Sequence, residues 1–221
     1  MNIPCVSYGK IIDLSHPFDE NMPSIDPMPR LDFYENTHSG LYNVETITYC
    51  PHVGTHMDAP SHVADGWGSI DSWPADILVG PAVVIQTGRP GKCEISASDI
   101  TACEMENGFI EPGDAVLFHT RHSELWGFGR SAYVDDGYPC LSLDAADYLI
   151  SRRVRYAAID FFSPEPPDRS DIHRRLLGNG IPIVENVCNL EMIEGARCAT
   201  IGTFPAVRGA TGVWVRLLAL V

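Results

Sequence analysis

Positive charge is scarce in this chain: 15 Lys and Arg stand against 29 Asp and Glu, a net charge of −14 at pH 7. That balance excludes the basic footprint of nucleic-acid recognition and makes an anionic membrane surface a poor partner. Long apolar runs are missing too, and nothing approaches the roughly 20 residues of a membrane span. Residues 1–10 lack the charged region and apolar core of a secretory signal. The seven cysteines (Cys5, Cys50, Cys93, Cys103, Cys140, Cys188 and Cys198) are odd in number and never form a Cys-x-x-Cys pair. A disulfide framework and a Cys-type zinc site are therefore not expected. Reduced thiols in a cytoplasmic protein are, most of them serving as small core residues. No internal repeat or low-complexity linker divides the chain.

What is present suits one domain over residues 1–221, since 45% of residues are hydrophobic and that length buries a full core. Strands are predicted over residues 10–14, 44–50, 81–87, 115–120, 156–161, 181–187, 199–204 and 213–220, from short β-branched or apolar runs bounded by Gly and Pro. Helices are predicted over 98–105, capped by Ser98, over 142–153, capped by Ser142, and over 170–177, stopped by Gly178-Asn179-Gly180. Residues 15–40, with Pro17, Pro23, Pro27 and Pro29, read as a long irregular excursion. Loops of that length usually border a site. Strands outnumber helices, which points to a mixed α/β domain rather than a doubly wound sheet.

Three of the eight histidines fall within eleven residues: His52-Val-Gly-Thr-His56-Met-Asp58-Ala-Pro-Ser-His62. Neutral imidazoles and a carboxylate converging on one point are what a divalent metal requires. Histidines four apart share a helical face, but Pro51, Gly54 and Pro60 argue against a helix. The segment is therefore expected on a constrained loop. It is not the His-Glu-x-x-His zinc helix, because position 53 is Val and that class's general base is absent. The bland alternative is a polar loop with surface histidines.

The string His52-x-Gly54-Thr55-His56-x-Asp58-x-Pro60-x-His62 resembles the signature of the cyclase-type metal hydrolases, which include bacterial kynurenine formamidases and isatin hydrolases. Ile11 to Pro17, Gly113 to Leu117, Gly180 to Asn186 and Gly209 to Gly212 resemble further elements of that family. The resemblance implies that His52, His56 and Asp58 ligate a first metal, with Asp58 bridging to a second ion held by His173 and Glu185. It implies His62 as the catalytic histidine, and zinc, or alternatively manganese, as the metal. It also implies a compact α/β fold of the swivelling β/β/α type, with a mixed sheet or barrel-like core and few helices, in a homodimer or larger assembly. The expected partner is a small-molecule substrate, leading with N-formylkynurenine and followed by isatin or another cyclic amide or lactone. A metal-binding or ligand-binding protein without activity is the remaining alternative.

Other residues carry weaker signals. Glu185 lies among Ile183, Val184 and Val187, and a carboxylate in apolar surroundings needs a partner. Read alone, His173 is an exposed helix residue beside Arg174 and Arg175. Asp160 and Asp13 fit turn or cap positions better than support for a ligand histidine. His119 and His122 fit a polar loop near the site. Trp67 and Trp73 fit core packing, with the wall of an aromatic pocket as the second reading. His16 and His38 carry no signal, and residues 126–138 match no motif.

Overall fold

The computed structural model describes residues 9–25, 28, 32–36 and 42–221. His38 and Cys5 lie outside these residues, as do Pro27 and Pro29. In chain order the strands are β1 (Ile11–Asp13), β2 (Asp32–Asn36), β3 (Val44–Thr48), β4 (His56–Asp58), β5 (Gly80–Gln86), β6 (Cys93–Ile95), β7 (Ala115–His119), β8 (Pro139–Leu141), β9 (Tyr156–Ile159), β10 (Ile183–Glu185), β11 (Arg197–Thr203), β12 (Gly212–Trp214) and β13 (Arg216–Leu220). Among the described residues three α-helices join them: α1 (Ala97–Asn107), α2 (Leu143–Arg152) and α3 (Asp171–Gly178).

Nine strands form one mixed sheet in the order β1-β13-β11-β5-β7-β9-β10-β4-β12. Its centre, β5-β7-β9-β10, is parallel, and both flanks are antiparallel. Parallel strands are buried on both faces, and the sequence obeys this. Val83, Ile85, Val116, Phe118, Ala157 and Ile159 pack toward the helices. Their alternate neighbours Ala82, Val84, Ala115, Leu117, Tyr156 and Ala158 pack into a second core on the other face. Full burial of each large apolar side chain is worth about 1.5–3 kcal/mol. An exposed pair such as Arg121–Glu124 is screened by solvent and contributes little by comparison, so the central sheet is the rigid platform.

Val215 explains the sheet's shape. The run 213–220, expected as one strand, is two. Gly212–Trp214 pairs with β4 at one end of the sheet, and Arg216–Leu220 pairs with β1 and β11 at the other. One residue cannot span a flat nine-stranded sheet, so the sheet curls into a half-barrel that brings its ends together. Ile12, Leu14 and Leu217 from one end share the second core with Met57 and Val213 from the other.

Several local expectations need correction. Ser96, not Ser98, caps α1. Its Oγ accepts from the Asp99 amide at 3.3 Å, while the Asp99 carboxylate accepts from the Ser96 amide at 2.8 Å. That reciprocal pair requires the three-residue spacing. The stretch 15–40 is not wholly irregular, since β2 pairs with β3 as a hairpin. The metal-ligand motif is not all loop: His56–Asp58 is a strand, and Pro60–His62 is one 3-10 turn. Of the six described cysteines only Cys188 is buried; the others are half-buried, and all six are free.

Candidate metal centre

The centre lies where β4 and β10 run side by side. Glu185 pairs directly across from His56, at the carboxyl end of the parallel strands, where open α/β sheets place their ligand crevices. Asp58 is two residues beyond His56. In a helix they would diverge, but in a strand they share a face. His52 comes from the turn before β4. That turn needs Gly54, whose φ is +75° and whose missing Cβ leaves room for the Phe18 ring. His52 also needs Gly212: a Cβ there would stand 2.6 Å from its Cε1. His173 enters from the first turn of α3, and His62 ends the short turn after β4.

Asp58 is the hub. Its Oδ1 lies 2.8 Å from His52 Nδ1 and 3.5 Å from His56 Nε2, and its Oδ2 lies 3.5 Å from His173 Nε2. Glu185 reaches the other side of both rings, 3.5 Å from His56 Nε2 and 3.3 Å from His173 Nε2. His52, His56 and Asp58 each offer one donor atom, all within 4.8 Å of one another, and so do Asp58, His62 and His173. The structure thus brings together all six residues singled out in the sequence. His173 is buried, not exposed.

The donor set fits a divalent cation. Asp58 Oδ2 is buried and has no hydrogen-bond partner among the described residues, although leaving a buried carboxylate oxygen unpaired is costly. The imidazoles carry the compensating charge. Burial opposes protonation of His56, but the hydrogen bond and charge of Asp58 and the charge of Glu185 outweigh it and push it up to about 9. Burial likewise opposes protonation of His173, yet Asp58, Glu165 and Glu185 hold it well above the ordinary histidine range. Asp58 is pulled well below the usual carboxylate range, against its burial, by His173, His52 and His56. Glu185 is raised by burial and by the charge of Asp58. A site that gathers positive charge this way is complementary to a metal ion.

Supporting residues fix the rings. Glu165 Oε1 accepts from His173 Nδ1 at 2.7 Å and from the His173 amide at 3.0 Å, and its Oε2 accepts from the Ile172 amide at 3.0 Å. It therefore caps α3 in place of Ser170, whose side chain makes no cap bond, and turns His173 Nε2 toward Asp58. The Gly54 carbonyl accepts from His56 Nδ1 at 2.9 Å and from Asn186 Nδ2 at 3.0 Å. Asn186 in turn accepts from the Tyr133 hydroxyl at 2.9 Å. Thr211 Oγ1 lies 2.9 Å from His52 Nε2. Partners of this kind orient ligand rings and tune metal affinity. Glu165 and Thr211 were not singled out, and their only sequence signals are an acid within Pro164-Glu-Pro-Pro167 and a position beside a family-like glycine.

A cavity of about 230 Å³ opens over the cluster, walled by Ile25, Met28, Phe162, Pro167 and Arg169. Ile25 and Met28 belong to the excursion expected to border a site, and they do. Other sequence candidates lie elsewhere. Asp160 accepts from the Thr120 amide, the Thr120 hydroxyl and the Arg121 amide, so it pins the turn after β7. Asp13 binds the Ser15 amide and Arg216. His122 is buried between the Gly91 amide and the Tyr133 carbonyl and His119 is buried as well, so neither sits in a polar loop. Trp73 packs against the second core and Trp67 is exposed; neither walls the cavity.

A ring of imidazoles and carboxylates around a buried carboxylate oxygen that lacks a hydrogen bond, at the strand ends of a curled mixed sheet, defines a metal-site α/β protein. The chain belongs to the cyclase family, described as "Putative cyclase", whose model matches residues 12–166. It is 28% identical over 189 residues to the kynurenine formamidase of Bacillus mycoides (strain KBAB4), covering 83% of this chain and 85% of that one. It is similar to isatin hydrolase A from Labrenzia aggregata, with a TM-score of 0.87, 26% identity, and coverage of 96% and 93% of the two chains. It is similar also to a "predicted metal-dependent hydrolase" from Bacillus stearothermophilus, with a TM-score of 0.77, 26% identity, and coverage of 95% and 97%.

Proposed function

We propose that this protein is a metal-dependent hydrolase that cleaves an amide or lactam C–N bond of a small aromatic substrate, with N-formylkynurenine first among the substrates. The buried Asp58 Oδ2, with no hydrogen-bond partner among the described residues and only the His173 imidazole nearby at 3.5 Å, is the observation that carries this reading. His52, His56 and Asp58 would hold one ion, and Asp58, His173 and Glu185 would hold a second. Zinc suits this donor set, and manganese is the alternative. Bound divalent metal supplies Lewis-acid polarisation of a carbonyl and lowers the pKa of water toward ~7.

The chain's own residues do the rest. His62 stacks on His52 with ring centroids 3.9 Å apart, at the edge of the cluster. Burial lowers its pKa to about 4, with the neighbouring histidines adding and Asp58 opposing. It is therefore a neutral acceptor near pH 7. It takes a proton from the attacking water and returns it to the leaving nitrogen, a role typically worth 10²–10⁴-fold. Ile25, Met28 and Phe162 give the cavity apolar walls against which an aromatic ring would pack. The likeness to isatin hydrolase supports a second reading, ring opening of a cyclic amide. We further propose one domain over residues 1–221, acting in the cytoplasm as a dimer or larger assembly.

The test is an absorbance assay of metal-loaded protein on N-formyl-L-kynurenine and isatin side by side. His62→Ala should keep its metal and lose about 10²–10⁴-fold in rate, whereas Asp58→Ala should lose the metal. Unchanged turnover by His62→Ala would remove it from the chemistry. Turnover of isatin alone would move the substrate to the cyclic amides.

A further inference from the structure

The cavity over the metal cluster has one cationic side chain whose chemistry the hydrolytic step does not use. Arg169 is the single Lys or Arg among its described lining residues. Most other arginines of the fold are committed: Arg121 to Glu124, Arg152 to Glu104, Arg197 to Asp114, Arg216 to Asp13. Arg169 is exposed, and its guanidinium makes no ion pair or hydrogen bond with the described residues; only its backbone amide bonds, to the Pro166 carbonyl at 3.0 Å.

The loop that carries it is stiff. Pro164, Pro166 and Pro167 each fix φ. Glu165 is tied down by three hydrogen bonds to the start of α3. One rigid loop thus points a carboxylate inward, to His173, and a guanidinium outward, to the cavity mouth. A preorganised group loses little freedom on binding.

Arg169, Tyr138 and Pro166 are also shared with a larger outer pocket of about 700 Å³. Arg169 therefore stands on the ridge between the reacting end and a second space. Lys92 is the other cation of that pocket, whose remaining charged side chains, Glu94, Asp144, Glu165 and Asp171, are acids. An anion entering a chain of net charge −14 meets repulsion over most of this surface. A neutral ring needs no cation at the rim, whereas a carboxylate does.

We propose that Arg169 is a specificity-determining residue that anchors a carboxylate at the non-reacting end of the substrate. The inference rests on the hydrolase reading and narrows it. The favoured substrate is an aromatic amide whose carboxylate arm ends at Arg169, on the ridge between the two pockets, not a bare bicyclic lactam. Guanidinium and carboxylate match as a bidentate pair, which an ammonium cannot reproduce.

The test measures binding rather than turnover. L-kynurenine and its methyl ester are titrated into the zinc-loaded protein by calorimetry, with wild type, Arg169→Ala and Arg169→Lys, at low and high salt. Arg169→Ala should weaken the acid about tenfold or more, leave the ester unchanged and remove the salt dependence of acid binding. Arg169→Lys should fall between. Identical thermal melts would exclude a folding defect. The anchor is overturned if wild type binds acid and ester equally, if it binds no acid, or if Arg169→Ala weakens both alike. If the acid binds through Arg169 but N-formyl-L-kynurenine is not hydrolysed, the activity reading fails and the anchor stands.

Discussion

His173 owes its orientation to Glu165, a residue without contact to the cluster's centre. The Glu165 carboxylate accepts the Nδ1 proton and so presents Nε2 to Asp58 and Glu185. Loss of such a supporting carboxylate typically weakens metal binding about 10–100-fold. Glu165→Gln should do this while leaving the protein folded, read by chelator competition against zinc; an unchanged affinity would show that α3 alone orients the ring. The ligands and their supports differ in how legible they were. His52, His56, Asp58 and His62 are close in sequence, so their spacing announces a site. Glu185 stands out locally only as a carboxylate among apolar neighbours, and its pairing with His173 is legible only through likeness to a family, because their meeting depends on how α3 folds back onto β10. Thr211 and Gly212 reach His52 across the closing end of the sheet, and no local pattern encodes that approach.

Elements were legible where their signal is local and long. The parallel strands β5, β7 and β9 appear in the sequence as apolar runs, and α2 begins at Ser142 as expected. Three-residue strands such as β6 and β8 carry too few residues for any period to show. The start of α1 was misjudged by two residues, since Ser96 and Ser98 are equally good caps in isolation and only the partner Asp99 decides. That decision has a measurable weight. Ser96→Ala should destabilise the protein by about 1 kcal/mol and Ser98→Ala by much less, read from urea midpoints. Equal effects would show that the capping box contributes nothing.

At the scale of the whole molecule, acid stability should depend on a residue outside the metal centre. His16 stacks on Trp126 with centroids 4.0 Å apart, and its Nε2 is buried with no partner among the described residues. Burial lowers its pKa from 6.5 to about 4. The unfolded chain therefore takes up the proton first. The stability tied to neutral His16 is complete above pH 6.5 and falls away as the pH drops toward 4. The most it can amount to is about 3 kcal/mol, from ~1.4 kcal/mol per pH unit. His16→Phe keeps a ring on Trp126 and removes the titration, so its urea stability should fall less between pH 6.5 and 4 than that of wild type. Parallel slopes would place the acid sensitivity elsewhere. The half-barrel itself has a consequence in time. His52 is held by Thr211 and fits against Gly212, residues that leave the ribosome long after it. At about 5–20 residues per second, roughly ten seconds or more of synthesis separate the first ligand from its last support. A nascent chain thus emerges with its cluster of histidines unsupported, and His52 gains these two supports only once synthesis has passed Gly212.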